Sequence, residues 1–484
     1  MSGIVLLAPY PDLILALPEI SLLVLGLVLV AVDIVSRKAR IILPWITLAG
    51  VSLTALFLAD SAGGTAFGGM FISDAYSSFV KIVVLAGVAF TTLISDRYLD
   101  TEDMRHGEYY GLMVFSALGM FIMASAADLI VLYLGLELMA FSVYCLVALL
   151  KQDPRSSEAA VKYFLMGAFS SAILLYGISL LYGMTGTTDL LAIADAMSAY
   201  GLTHNPAALA AVGCILIAFS FKVAAVPFHF WTPDAYEGAP TPITAFMSVG
   251  PKVAGFAVLG RVFFTSFYDV EAQWAPLIGV IAFLTMGIGN IVALSQTSIK
   301  RMLAYSAIAH AGYALLGVVA GTDEGLSASL NYLLLYTFMN MGAFGILILL
   351  CGPGERRETL DDYRGLAKNH PMAAALMLLF MFSLTGIPPT AGFIGKFYLF
   401  VSALKEGHTF LVISACIFSA ISAFFYLRVV RLMYMEEPDK SFPLSLSPAL
   451  SVALLIAAVG VIGLGIAPGP VLDMAGSAIM GFMR

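Results

Sequence analysis

Apolar residues run along this chain in stretches of about twenty, separated by short polar connectors, almost from one end to the other. A run of that length crosses the hydrocarbon core of a bilayer as a helix rising 1.5 Å per residue. The runs fall near 13–35, 41–59, 75–95, 109–127, 128–150, 159–184, 206–231, 240–264, 275–295, 302–320, 326–351, 372–403, 408–433 and 447–467. They predict about fourteen transmembrane helices. The fourth and fifth nearly touch at Ala127–Asp128, and the short stretch 470–483 is expected to lie at the interface. Composition agrees, with 60% hydrophobic and 11% charged residues against about a quarter charged in soluble domains. The fold class is an all-α polytopic membrane protein. Met1 to Tyr10 lacks the basic segment of a secretory signal, and the first apolar run has spanning length.

An even number of crossings puts both termini on one side of the membrane. With the N-terminus outside, sixteen of the 24 lysines and arginines fall in inner connectors, from Arg37, Lys38 and Arg40 to Arg428, Arg431 and Lys440. Only Arg261, Lys405 and Arg484 fall on the outer side. That asymmetry is the positive-inside pattern, and it predicts outer termini.

Five lysines remain, all inside predicted spans: Lys81, Lys162, Lys222, Lys252 and Lys396. Lys81 and Lys162 stand within two turns of a helix start, where a long side chain can snorkel to the interface. Lys222, Lys252 and Lys396 are too deep for that, and each costs about 2.5–3.5 kcal/mol at a helix centre on insertion scales. Glu137, in "LYLGLELMAFSVY", is the one carboxylate near the middle of a span. It can clamp two helices through a lysine, or tune that lysine's proton affinity.

Prolines accompany the deep lysines. Pro227 follows Lys222 in "FSFKVAAVPFHFW" and would free the carbonyl of Val223, and Pro233 would free that of His229. Pro251 precedes Lys252 in "MSVGPKVAGF" and would free Met247, while Pro388 and Pro389 lie ahead of Lys396. Broken backbone at membrane depth survives only where protein or a water-filled cavity satisfies it. With a regular helix after Pro389, Lys396 sits about 10 Å from the break, within reach of the Leu384 and Thr385 carbonyls only through water. The interrupted seventh and twelfth spans lie five helices apart and so cross in opposite directions. That offset predicts inverted repeats, spans 4–8 and 9–13, and a division into 1–105, 106–270, 271–436 and 437–484.

Other chemistries fail on inspection. Cys145, Cys214, Cys351 and Cys416 are isolated, without the spacing of zinc, iron–sulfur or haem sites. "TAGFIGKF" has Thr390 where a phosphate loop needs its first glycine and Phe397 where it needs Ser or Thr. His229 and His310 are candidate proton relays because imidazole titrates near neutrality, although for either one alone a satisfied core histidine is the somewhat better reading. His106, His204, His370 and His408 fall in connectors or at helix ends. Nothing points to nucleic acid.

"PFHFWTPDAYEGAPTPITAFMSVGPKVAGF" (227–256), "IKRMLAYSAIAHAGY" (299–313) and "LTGIPPTAGFIGKF" (384–397) closely resemble the antiporter-like subunits of respiratory complex I, the proton-pumping NADH:quinone oxidoreductase. The resemblance covers nearly the whole chain. Among the three sister subunits the N type matches best, because the chain stops at Arg484 without the long lateral helix of one sister and has Lys396 where another usually carries glutamate. The resemblance implies that Glu137 is the helix-5 acid and Lys222 its helix-7 partner. Lys162 becomes a nearby helix-6 base, Lys252 the central lysine and Lys396 the terminal one facing the outer side. It further implies a bacterial inner membrane, neighbouring membrane subunits as partners, and no cofactor in this chain. NADH, FMN, iron–sulfur clusters and quinone would belong to partner subunits.

A free lysine, with a pKa of about 10.4, does not release its proton near neutrality. Burial and a movable carboxylate together can change a lysine's proton affinity by roughly ten- to a thousandfold. Pumping one proton against about 150 mV requires near 3.5 kcal/mol, or roughly 2.5 pKa units, so such a switch is large enough. The lysines are expected to titrate as a coupled set. The D-type subunit of a multisubunit sodium/proton antiporter looks similar and is the alternative reading. A passive scaffold explains the apolar surface and leaves the three deep lysines without a use.

Overall fold

The computed structural model describes residues 10–479, apart from 62, 103, 105–106, 353–355 and 439–442. Arg105, Lys440, Arg484 and both termini, on which the sidedness expectation partly rests, lie outside the described residues.

In chain order the helices are α1 (Tyr10–Leu15), α2 (Leu17–Val35), α3 (Leu43–Ala59), α4 (Ala75–Thr101), α5 (Gly107–Ser125), α6 (Leu129–Val147) and α7 (Pro154–Thr185). There follow α8 (Leu190–Ala199), α9 (Pro206–Lys222), α10 (Trp231–Gly238), α11 (Thr241–Thr265), α12 (Glu271–Ala293), α13 (Ile299–Val319) and α14 (Asp323–Leu350). The last are α15 (Leu366–Asn369), α16 (Pro371–Thr385), α17 (Ala391–Lys405), α18 (Thr409–Met435), α19 (Pro448–Ile466) and α20 (Gly469–Ile479). A two-stranded antiparallel hairpin, β1 (Gly64–Ala66) with β2 (Phe71–Ser73), joins α3 to α4.

Among the described residues, twelve helices are long and apolar enough to cross a membrane. The predicted seventh and twelfth spans are instead pairs of shorter helices, α9 with α10 and α16 with α17. Helix length therefore gives twelve candidate spans among the described residues, and the count of fourteen depends on the two interrupted segments. The stretch predicted to lie at the interface contains α20, an eleven-residue helix.

Helix starts follow local chemistry. Asp74 caps α4 by accepting from the Ser77 amide at 2.7 Å, and Asp128 caps α6 by accepting from the Ile130 amide at 2.7 Å. Asn205 precedes Pro206 and accepts from the Ala207 amide at 2.9 Å. Each cap satisfies amides that a helix start leaves open. Closely approaching helices α11, α13 and α14 form the centre, being 94–100% buried over their spanning windows, while α2, α3, α18 and α19 form the rim at 33%. Lys252 thus lies in the innermost helix.

Candidate proton-transfer axis

The first break is not the proline kink that the sequence predicts. Helix α9 ends at Lys222 itself, Ala224 takes a left-handed backbone with φ 61°, and the chain stays non-helical until Trp231. Pro227 therefore stands inside an open segment and no longer acts on a helical Val223 carbonyl. Pro233 falls in the first turn of α10, where a missing amide costs little. Pro251 lies inside the continuous α11. The open backbone is held by its surroundings: the Val226 amide donates to Thr285 Oγ1 of α12 at 2.9 Å, and Trp231 Nε1 donates to the Phe221 carbonyl at 3.0 Å. Gly255 lets α11 approach closely, because a Cβ there would meet Val223 Cγ1 at 2.9 Å and Lys222 Cβ at 3.7 Å.

Lys222 is 4% exposed, and its ammonium has no hydrogen-bond partner among the described residues. No ion pair joins it to Glu137 among the described residues. Glu137 is half-buried and accepts a hydrogen bond from Ser171 Oγ of α7. The predicted pair is therefore a long-range one, with the acid tethered to a neighbouring helix.

Lys162 does not join them. Its side chain is 47% exposed and bridges Glu158 at 2.8 Å and Asp234 at 3.0 Å. Arg301 also reaches Asp234 at 3.0 Å and Glu237 at 2.6 Å. The snorkelling expectation thus describes Lys162, which belongs to a charge network fastening α10 to α7 and α13. It does not describe Lys81, which is 1% exposed and lies 2.6 Å from Glu19 of α2. Arg261, expected in an outer connector, is buried in α11 and grips Asp74 with two hydrogen bonds of 2.9 Å. Lys300, expected in an inner connector, is buried and donates to the Ala239 carbonyl at 2.6 Å and to Glu358 at 3.1 Å.

Lys252 is 2% exposed, donates to the Ala307 carbonyl of α13, and lies 5.9 Å from the ring centre of Tyr236. One turn beyond Ala307 stands His310, buried, with Nδ1 against Tyr332 Oη and Nε2 3.0 Å from Tyr426 Oη. Tyr426 in turn meets Ser306 Oγ at 2.5 Å. His229 sits in the first break against Phe230, and its Nδ1 has no hydrogen-bond partner among the described residues. Of the two histidines, the geometry brings only His310 into the polar line.

Lys396 is 4% exposed. Its ammonium donates directly to the Leu384 carbonyl at 3.1 Å, the Thr385 carbonyl at 2.8 Å and Ser419 Oγ at 2.9 Å. Direct contact replaces the expected water bridge because the chain folds back at the break instead of running on straight. Helix α16 ends at Thr385, Gly386 turns the chain with φ 93°, and the lysine stem packs over it, Cδ 3.1 Å from where a Cβ would stand. The ammonium also lies 4.8 Å from the ring centre of Tyr313, on the same helix as His310. Ser171, Ser306, Tyr332, Ser419 and Tyr426 escape sequence reading. Their residue types are common in membrane helices, and only tertiary packing gathers them.

Residues 126–422 match the family described as NADH:quinone oxidoreductase/Mrp antiporter, transmembrane. NADH-quinone oxidoreductase subunit N of Desulfovibrio desulfuricans is 50% identical over 92% of this chain and 90% of that protein. Subunit N 2 of Rhizobium meliloti is 46% identical over 96% of this chain and 97% of that protein. A chain of respiratory complex I from Thermus thermophilus superposes with a TM-score of 0.80 at 32% identity, covering 94% of this chain and 98% of its own. A chain of the Mrp complex from Dietzia shares the fold, with a TM-score of 0.82 at 22% identity over 97% of each chain. The chain belongs to the NADH:quinone oxidoreductase/Mrp antiporter family of membrane subunits, and within it to the group of NADH-quinone oxidoreductase N subunits.

Proposed function

We propose that the chain translocates protons as an antiporter-like subunit of NADH:quinone oxidoreductase, through Glu137, Lys222, Lys252, His310 and Lys396. One observation carries this reading: Lys222, Lys252 and Lys396, each no more than 4% exposed, stand on three helices of a membrane protein, and none has a carboxylate in contact among the described residues. Charges so expensive to bury and so poorly neutralised suit groups that gain and lose protons. Lys222 and Glu137 form the first station and Lys252 the second. The Ser306–Tyr426–His310–Tyr332 cluster lies between Lys252 and Lys396, which is the terminal station. Lys162, with Asp234 and Arg301, acts at the inner end of α10, and His229 has only a bystander's position. The segments 106–270 and 271–436 act as two inverted halves, each with one interrupted helix.

The driving energy comes from partner subunits that hold NADH, FMN, iron–sulfur clusters and quinone, and the chain works in the bacterial inner membrane with both termini on the periplasmic side. Purification in mild detergent tests this directly. The redox subunits should accompany the chain, and NADH oxidation in vesicles should acidify one side without sodium. Recovery with antiporter subunits alone, and sodium-dependent transport without NADH oxidation, would instead support the sodium/proton antiporter reading.

A further inference from the structure

A cavity of about 400 Å³ opens on the outer surface of the bundle, away from the lysine axis. Its walls come from Ile20 and Leu23 of α2, Ile122 of α5 and Leu134 of α6, and the hairpin residues Phe67 and Phe71 close one end. Almost all of this lining is apolar, and the one ionisable group in it is Glu19. That carboxylate is 7% exposed. One oxygen faces the Lys81 ammonium at 2.6 Å, and the other, Oε2, has no hydrogen-bond donor. A buried carboxylate oxygen without a donor is costly, and carboxylates accept up to about four hydrogen bonds.

Depth narrows the occupant. Glu19 stands in the first turn of α2, and the sixteen residues from it to Val35 rise about 24 Å. With Arg40 just beyond the other end, Glu19 lies near the outer boundary of a hydrocarbon core about 30 Å thick. Leu23 and Leu134 are deeper, at the level of the first carbons of an acyl chain. Charge narrows it further. Asp12, whose carboxylate accepts from the Phe67 amide at 2.9 Å, adds a negative charge beside the cavity, while the charges of Glu19 and Asp74 are balanced by the buried Lys81 and Arg261. With the acceptor Glu19 Oε2 open and no cation in the lining, the site suits an N–H donor such as an ammonium and offers little to an anionic headgroup.

We propose that this cavity binds a phospholipid with a primary ammonium headgroup, the ammonium donating to Glu19 Oε2 and one acyl chain filling the space between α2, α5 and α6. The inference does not depend on the proton-transfer reading. A charge-assisted hydrogen bond of about 1.5–3 kcal/mol predicts roughly tenfold or greater preference over a headgroup of the same charge without N–H donors.

The test equilibrates the complex in mild detergent with phosphatidylethanolamine or phosphatidylcholine bearing a photoreactive acyl chain, then irradiates it and maps labelled residues by mass spectrometry. Labelling at Ile122 and Leu134 should be about tenfold stronger with phosphatidylethanolamine. Leu23→Trp, which fills the cavity, should remove it while leaving labelling elsewhere unchanged. Glu19→Gln should reduce the preference. If that variant fails to assemble because Lys81 is stranded, Glu19→Gln with Lys81→Met keeps the site neutral and should abolish the preference. Equal labelling by the two lipids in the unaltered chain overturns the proposal. Absence of any labelling there also overturns it, since another protein would then cover the face.

Discussion

Lys222 and Lys396 occupy matching places, one beside each break, yet their surroundings differ, and the difference sets up a paired experiment. Lys222→Met removes an ammonium that makes no hydrogen bond. It therefore strands no hydrogen-bond partner, leaves Glu137 held by Ser171, and relieves about 2.5–3.5 kcal/mol of burial cost. Lys396→Met relieves a similar cost but deletes three hydrogen bonds, to Leu384, Thr385 and Ser419. At about 1.5–3 kcal/mol for each charge-assisted bond, less the same relief, the second variant should be destabilised by about 1–6.5 kcal/mol, given that such terms do not add strictly. Both variants should lose proton transport through this chain, because a thioether holds no proton.

The two readouts are NADH-driven proton pumping in reconstituted vesicles and the temperature at which the chain leaves the complex in mild detergent. Pumping should fall for both. The dissociation temperature should hold or rise for Lys222→Met and fall clearly for Lys396→Met. Equal stability of the two variants would refute the assignment of Lys396 as a bonded group and Lys222 as an unbonded one. Unchanged pumping by Lys222→Met, in a complex of normal composition, would make that lysine structural.

Glu137→Gln keeps an acceptor for Ser171 and removes the charge acting on Lys222, so assembly should be normal and pumping should fall by less than in Lys222→Met; disassembly with normal specific activity would make Glu137 a clamp. His310→Phe breaks the contacts to Tyr332 and Tyr426 while retaining a ring, and should lower pumping severalfold with little change in composition of the complex, as judged by gel and by vesicle assay. Near the inner surface, burial pushes the Asp153 carboxyl up, but hydrogen bonds from Arg356 and the Arg155 amide, with the Arg356 charge, outweigh it and hold the group below the usual carboxylate range. A depressed folded value gives stability that is present above the unfolded pKa of about 3.9 and is lost as pH falls through the depressed one. Arg356→Gln should therefore move the acid-unfolding midpoint of the chain to higher pH, measured by acid titration of the detergent complex.

The apolar runs made the crossings legible because spanning a bilayer imposes a length that no packing detail overrides. They also marked where regularity fails, since a deep lysine and a proline in one run are both expensive. How the chain behaves at a break was not legible. Pro227 reads as a kink in a helix, whereas α9 has already ended at Lys222 and the proline lies in open chain. The charges near helix ends were read by position alone, which served for Lys162 and misassigned Lys81, Arg261 and Lys300. Each of those three is buried by a partner remote in sequence, Glu19, Asp74 and Glu358, and a count of charges in connectors carries no trace of such pairings.

The partners of Lys396 were hidden for a different reason. Two of them are backbone carbonyls, which every residue possesses, so the sequence marks the donor without marking its acceptors. The fold creates those acceptors by ending α16 at Thr385, where the last carbonyls have no helical amide to receive. The same helix end carries the negative pole of the macrodipole, a favourable place for a cation. Lys396, entering from the following helix, points back into it. Lys222 lies on the terminating helix itself and its ammonium reaches none of the carbonyls that end exposes. The second half of the protein thus compensates its lysine with direct hydrogen bonds to a helix end, whereas Lys222 stands in the last turn of its own helix without such bonds. No acid touches either lysine among the described residues, so the two differ in the backbone carbonyls open to each ammonium.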